Sequence, residues 1–174
     1  MSTSPTTLAA SGEARYLAGI AAGLRTENNH LGYVAAMQIP ECIYSMNAYF
    51  LGARSVNPDV TMDVLFTNTW YDPTIEGQAA QSLIDMGCDV IAQHQDTTMP
   101  VAAAEEAGIW ACGYNCDMTE DGPNAHLTDP HLALGHLRDR AGAGRDRRHL
   151  GACQPPRGHE RGLGGHLPPD RELR

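Results

Sequence analysis

Between residues 13 and 128 the hydrophobic pattern changes period at regular intervals. In 13–26, Leu17, Ile20, Ala21 and Leu24 recur at helical spacing, which predicts a helix. Residues 31–37 form a short apolar run with a glycine near its start, the mark of a buried strand. Pro40 suits the first turn of a helix. That helix is expected to reach about residue 55, with Ile43, Met46, Asn47, Phe50 and Leu51 along one side. Residues 61–67 alternate and are rich in strand formers. Asp72 followed by Pro73 reads as an N-cap and a first-turn proline, opening a helix that runs to Met86 and stops at Gly87. The cycle then repeats, with a strand at 88–93, a helix capped by Thr98 and closed by Gly108, and a strand at 109–114.

Strand and helix alternating through short, glycine-closed turns predict an α/β fold, a doubly wound parallel sheet with helices on both faces. The predicted domain spans 13–135, after a disordered N-terminus at 1–12. Beyond it the pattern stops. Residues 136–174 contain five leucines as their only large apolar residues, among Arg, Gly, His and Pro. Such a segment buries too little apolar area to offset its ordering entropy, so a disordered C-terminal tail is expected.

Charge divides the chain at the same point. Residues 1–135 hold 16 acidic residues against Arg15, Arg25 and Arg54, a net charge of −13. Residues 136–174 hold 9 arginines against 5 acidic residues, a net charge of +4, and the chain has no lysine. An acidic body repels phosphate, which argues against nucleic acid as a partner. Absent lysine with abundant Ala, Gly and Arg points to a GC-rich gene more than to adaptation to high salt. The five cysteines (Cys42, Cys88, Cys112, Cys116, Cys153) show no zinc or redox spacing and read as small core residues. Four of the eight histidines lie in the tail, and none is at zinc-ligand spacing.

In doubly wound sheets ligands sit beyond the carboxyl ends of the strands. The polar residues there are Gln38 and Glu41, then Asn68, Trp70 and Asp72, then Gln93, His94, Gln95 and Asp96, then Asn115 and Asp117. Amides, carboxylates and one indole on a common rim suit a small molecule with a flat ring and hydroxyls. Asp72 is a helix N-cap on either reading, and Glu105 with Glu106 reads as a solvated helix face. No nucleophile elbow and no phosphate-binding glycine loop is present. The expectation is therefore a binding protein with no catalytic residues, no metal and no cofactor. The alternatives are a small cytosolic α/β enzyme or a ligand-sensing regulator domain on the same fold.

The strings EARYLAGIAAG (13–23), NAYFLGARSVNP (47–58), NTWYDP (68–73), AAQSLIDMGCDVIAQH (79–94) and AAEEAGIWACGYNCDM (103–118), with LGYVAA (31–36), IPE (39–41) and AHLT (125–128) at matching spacing, resemble the basic membrane protein (BMP) family of substrate-binding lipoproteins. The resemblance implies one incomplete lobe of a type I periplasmic-binding-protein fold. It also implies a purine nucleoside or related ligand held between two lobes, and an ABC permease as partner. In that family an aromatic at the Trp70 position stacks on the base, and residues matching Asn115 or Asp117 hold ribose hydroxyls. The ligand set expected here is Trp70, Asp72, Asp96, Asn115 and Asp117.

Family chains are longer, with a lipoprotein signal and a first lobe that supplies about half of the pocket. The start of this chain, Met-Ser-Thr-Ser-Pro-Thr-Thr, has no basic start or apolar core, so the chain as written is expected in the cytoplasm and impaired in binding. Back-translated and read from the second base of each codon, residues 136–152 can spell YVTERVQAVIDGTWEP, which resembles the helix and G-T-W motif that follow in the family. The tail is accordingly expected to be out-of-frame translation.

Overall fold

A computed structural model of the chain describes residues 5–130, with side chains described from Gly12 onward. The segment 131–174, and with it the expected disorder and frame change of the tail, lies outside the described residues. The elements run α1 (Pro5–Arg25), β1 (His30–Ala35), α2 (Pro40–Val56), β2 (Thr61–Phe66), α3 (Pro73–Asp85), β3 (Val90–His94), α4 (Met99–Ala107), β4 (Trp110–Cys112) and β5 (His126–Thr128). Every alternation expected from the pattern is present, and β5 is an addition that three residues of weak periodicity do not announce. The first helix begins at Pro5, well ahead of its expected start at residue 13.

Local rules account for most boundaries. The Asp72 carboxylate accepts hydrogen bonds from the amides of Thr74 and Ile75, each at 3.0 Å, and starts α3. Gly87 and Gly108 adopt φ of +95° and +69°, the left-handed conformation that ends α3 and α4. Thr98 corrects the sequence expectation. Its hydroxyl does not cap α4 but donates to Asp121 at 2.9 Å, while the neighbouring Thr97 hydroxyl accepts from the Met99 amide.

The five strands are parallel in the order β2-β1-β3-β4-β5. One face carries α1 and α2 over Leu31, Tyr33, Val90 and Ala92. The other carries α3 and α4 over Val34, Ile91 and Ala111, with Leu83 of α3 and Val101 and Ala104 of α4 packed on them. The chain is thus a doubly wound α/β domain.

The buried faces of α1 and α2 are not the ones that carry most of their large apolar residues. α1 buries Arg15, Ala18 and Ala22 and leaves Leu17 and Leu24 about two-thirds exposed. α2 buries Cys42, Ser45, Tyr49, Gly52 and Ala53 and leaves Leu51 out. The reason is close approach of the two helices. A Cβ on Gly19 would collide with the Tyr49 carbonyl, and one on Gly52 with the Tyr16 carbonyl. Small residues face each other so that two backbones can touch, and the large ones are displaced outward.

Candidate functional site at the strand tips

In the strand order 2-1-3-4-5 the direction of winding reverses between β1 and β3, so their following loops diverge and open a crevice at their carboxyl ends. The loops there are tied together by side chains. Gln95 donates to the Thr67 hydroxyl at 2.5 Å, and that hydroxyl donates to the Thr69 carbonyl at 3.0 Å. The Asp96 amide donates to the Trp70 carbonyl at 3.1 Å. Beneath them Glu76 is fully buried, accepting from the Asp72 amide at 2.8 Å with one oxygen and from the Thr97 hydroxyl and amide with the other. Burial pushes the Glu76 carboxyl above the ordinary glutamate range, against the pull of these hydrogen bonds. One carboxylate therefore fixes the loop bearing Trp70 to the loop bearing Asp96.

An aromatic file runs across the same edge. The Trp70 ring meets His94 edge-on at 5.9 Å between centroids, His94 meets Tyr114 at 4.4 Å, and the Arg15 guanidinium lies 4.5 Å over Tyr114. Arg15 also donates to the Gln93 carbonyl at 2.8 Å. The described residues place no carboxylate in an ion pair with it. His94 is held at a pKa of about 3, first by burial and then by the positive charge of Arg15, so the ring is neutral at physiological pH. Nε and Nη2 of Arg15, both ring nitrogens of His94 and Oε1 of Gln95 are buried with no hydrogen-bond partner among the described residues.

The expected ligand residues fall on this edge with different freedom. Trp70 is half-buried and its loop adjoins that of Asp96, which is exposed. Partial loss of hydration raises the Asp96 carboxyl above its ordinary range. Asn115 takes a left-handed φ of +60° just past β4, and its amide donates to the Pro130 carbonyl at 3.4 Å. That bend turns the chain so that Asn115 and Asp117 are both exposed, with one Asp117 oxygen accepting from the Thr119 amide. Asp72 is engaged as the N-cap of α3. Gln93, His94 and Gln95 are all buried; Gln93 ends the expected strand, and His94, expected beyond it, also belongs to β3.

Sequence reasoning missed Arg15, Glu76 and Tyr114. Arg15 has one available signal, its position three residues before Ala18 and seven before Ala22 on a single helical stripe. Glu105 is also more than a solvated residue, for its carboxylate accepts from the Asn124 side chain and from the amides of Asn124 and Ala125. These bonds, the Asn124 side chain first, hold its carboxyl below the usual range. Among the described residues the strand tips gather no three His, Cys, Asp or Glu donors close enough to share a metal ion. A separate apolar groove of about 520 Å³ lies between α1 and α2, lined by residues such as Tyr16, Leu17, Tyr44 and Leu51.

Residues 9–129 match the family model of PnrA-like ABC transporter substrate-binding proteins, Bmp. The chain belongs to the Bmp family. Over 118 residues it is 54% identical to a Haloferax volcanii protein, TsgA13, named for ABC-transporter glucose binding; the match covers 68% of this chain and 30% of that one. Over 116 residues it is 40% identical to a purine-binding protein of Brucella abortus, covering 67% and 33% of the two chains. A solved ABC transporter solute-binding protein from Conexibacter woesei superposes with a TM-score of 0.56 at 25% identity, covering 59% of this chain and 34% of that one. This Bmp chain therefore spans about a third of the length of the relatives it matches. They are substrate-binding proteins, and the periplasmic-binding-protein fold is common to them and to the domain described here.

Proposed function

We propose that the strand-tip edge is part of the ligand cleft of an ABC importer's solute-binding protein, working without catalysis. The ligand class is a purine nucleoside or base. Trp70 supplies the stacking face, and Asp96, Asn115 and Asp117 accept from hydroxyl and ring N–H groups, with Asp72 positioning the Trp70 loop. The observation that carries this reading is the concentration of buried polar atoms on Arg15, His94 and Gln95 that have no partner among the described residues, behind an aromatic file, at the switch point of the sheet. Buried polar atoms of folded proteins are nearly always paired, so a group of orphans marks where further partners arrive. In the complete protein the remaining cleft wall comes from sequence outside the matched region. The domain then works outside the membrane and delivers its ligand to an ABC permease.

The 54% identity to a protein named for glucose binding favours a second reading, a hexose on the same Trp70 face. A chimera separates them. Residues 9–129 replace the matching segment of the Brucella abortus purine-binding protein, and the product is titrated calorimetrically with adenosine, guanosine, inosine and glucose. The purine reading predicts purine binding that falls about tenfold to a hundredfold on Trp70→Ala, the usual worth of base–aromatic stacking. Glucose binding without purine binding would transfer the site to the hexose reading. Binding indifferent to Trp70→Ala would remove the rim from the account.

A further inference from the structure

At the opposite end of the sheet three donors of different kinds meet. His30 opens β1, Asp63 is the third residue of β2, and Cys88 follows the Gly87 turn after α3. One ligand atom from each lies within 4.8 Å of the other two. His30 Nε2 and Asp63 Oδ2 are 2.8 Å apart. Cys88 is buried and outside any disulfide, whereas the His30 and Asp63 side chains are 26% and 43% exposed, so one side of the cluster faces water.

The backbone holds these donors in place. In the β1–β2 register Gly32 lies opposite Asp63, and His30, two residues back, shares that face of the sheet. Gly32 places no side chain between them, and a Cβ there would strike Ile91 and Leu83. The Cys88 amide donates to the Leu83 carbonyl at 3.1 Å and the Asp89 amide to the His30 carbonyl at 3.0 Å, so the turn bearing the thiol is tied to the strand bearing the imidazole. The charged groups that act on Cys88 are Asp63 and Asp89, both negative, and no arginine pairs with either among the described residues. An anionic recess with a nitrogen, an oxygen and a sulfur donor favours a cation of intermediate softness over magnesium or calcium.

We propose that His30, Asp63 and Cys88 form a binding site for a zinc-class divalent transition-metal ion, with water in the fourth position. Binding forms one bond each to imidazole nitrogen, carboxylate oxygen and thiolate sulfur. The thiol proton passes to solvent, and the imidazole proton, which the 2.8 Å hydrogen bond to Asp63 places on Nε2, moves to Nδ1 through solvent as Nε2 ligates. The site lies the length of the strands, roughly 15–20 Å at 3.3 Å per residue, from the ligand rim. It joins β1, β2 and the exit of α3, so an ion there stabilises the folded domain by mass action.

The test uses the whole chain, chelator-stripped and titrated with Co²⁺ as the spectroscopic probe and with Zn²⁺ alone. One ion per chain, a thiolate-to-cobalt charge-transfer band and a rise in thermal midpoint are expected. Cys88→Ser abolishes the band, His30→Asn and Asp63→Asn each weaken binding at least about tenfold, and Cys42→Ser and Cys112→Ser leave it unchanged. Absence of the band in the folded wild-type chain overturns the site, as does its survival in Cys88→Ser. His30→Asn, at a part-exposed position, keeps the test valid if the buried cysteine variant does not fold, and undiminished binding in that variant also overturns the proposal.

Discussion

The imidazole of His94 lies between Tyr114 and Trp70 with its pKa pressed from 6.5 to about 3, chiefly by burial. Its folded pKa is below its unfolded one, so between these values the unfolded chain binds the extra proton and acid favours unfolding. Stability is fully present above pH 6.5 and falls as pH drops toward 3, by up to about 1.4 kcal/mol per pH unit. Urea denaturation of the wild type and His94→Gln at pH 7 and pH 5 measures it, and the variant is expected to lose less stability on acidification. Glu76 has a raised pKa and acts in the reverse sense above its ordinary value, which the comparison with His94→Gln cancels. Glu76→Ala leaves the Asp72 and Thr97 amides without their acceptor and is expected to cost about 1–3 kcal/mol. Asp72 was legible because an N-cap followed by proline is a local rule. Arg15 and His94 were not, because their burial is decided by partners on other elements, Gln93 and Tyr114 for Arg15 and Trp70 and Tyr114 for His94, beyond the reach of any local pattern.

For the helices the sequence pattern located the elements but did not single out the buried faces of α1 and α2. Leu17, Leu24 and Leu51 are the large apolar residues there and stay exposed, whereas packing buries Ala18, Gly19, Ala22, Gly52 and Ala53 because α1 and α2 touch backbone to backbone. Gly52→Leu forces its side chain into the Tyr16 carbonyl and is expected to cost about 3 kcal/mol or more, read as a lower urea midpoint. Leu51→Gln, one residue away and exposed, is expected to stay within about 0.5 kcal/mol of wild type. α3 was legible in full, since its cap, first-turn proline and terminal glycine are each written in one or two residues. The short β5 was not, because pairing with β4 makes it a strand, through bonds such as that from the Gly113 amide to the Thr128 carbonyl.

Across the molecule, the parallel sheet and its switch point bring Trp70, Asp96, Asn115 and Asp117 to one edge, although 47 residues separate the first from the last. The fold class and the family were both legible in the order of strands, helices and motifs. Which polar residues are free and which are engaged was not, because that depends on neighbours such as Glu76. Clefts of this fold acquire affinity by closing two walls on the ligand. On the proposed reading the described domain supplies one wall of such a cleft, and it is expected to bind purine nucleosides weakly, on the order of millimolar. The most direct test is amide and indole NMR of the chain titrated with adenosine at millimolar concentration. The account predicts shift changes confined to the Trp70 indole and the amides near Asp96, Asn115 and Asp117. Changes centred on the α1–α2 groove or on the amino ends of the strands, with Trp70 unmoved, would contradict it.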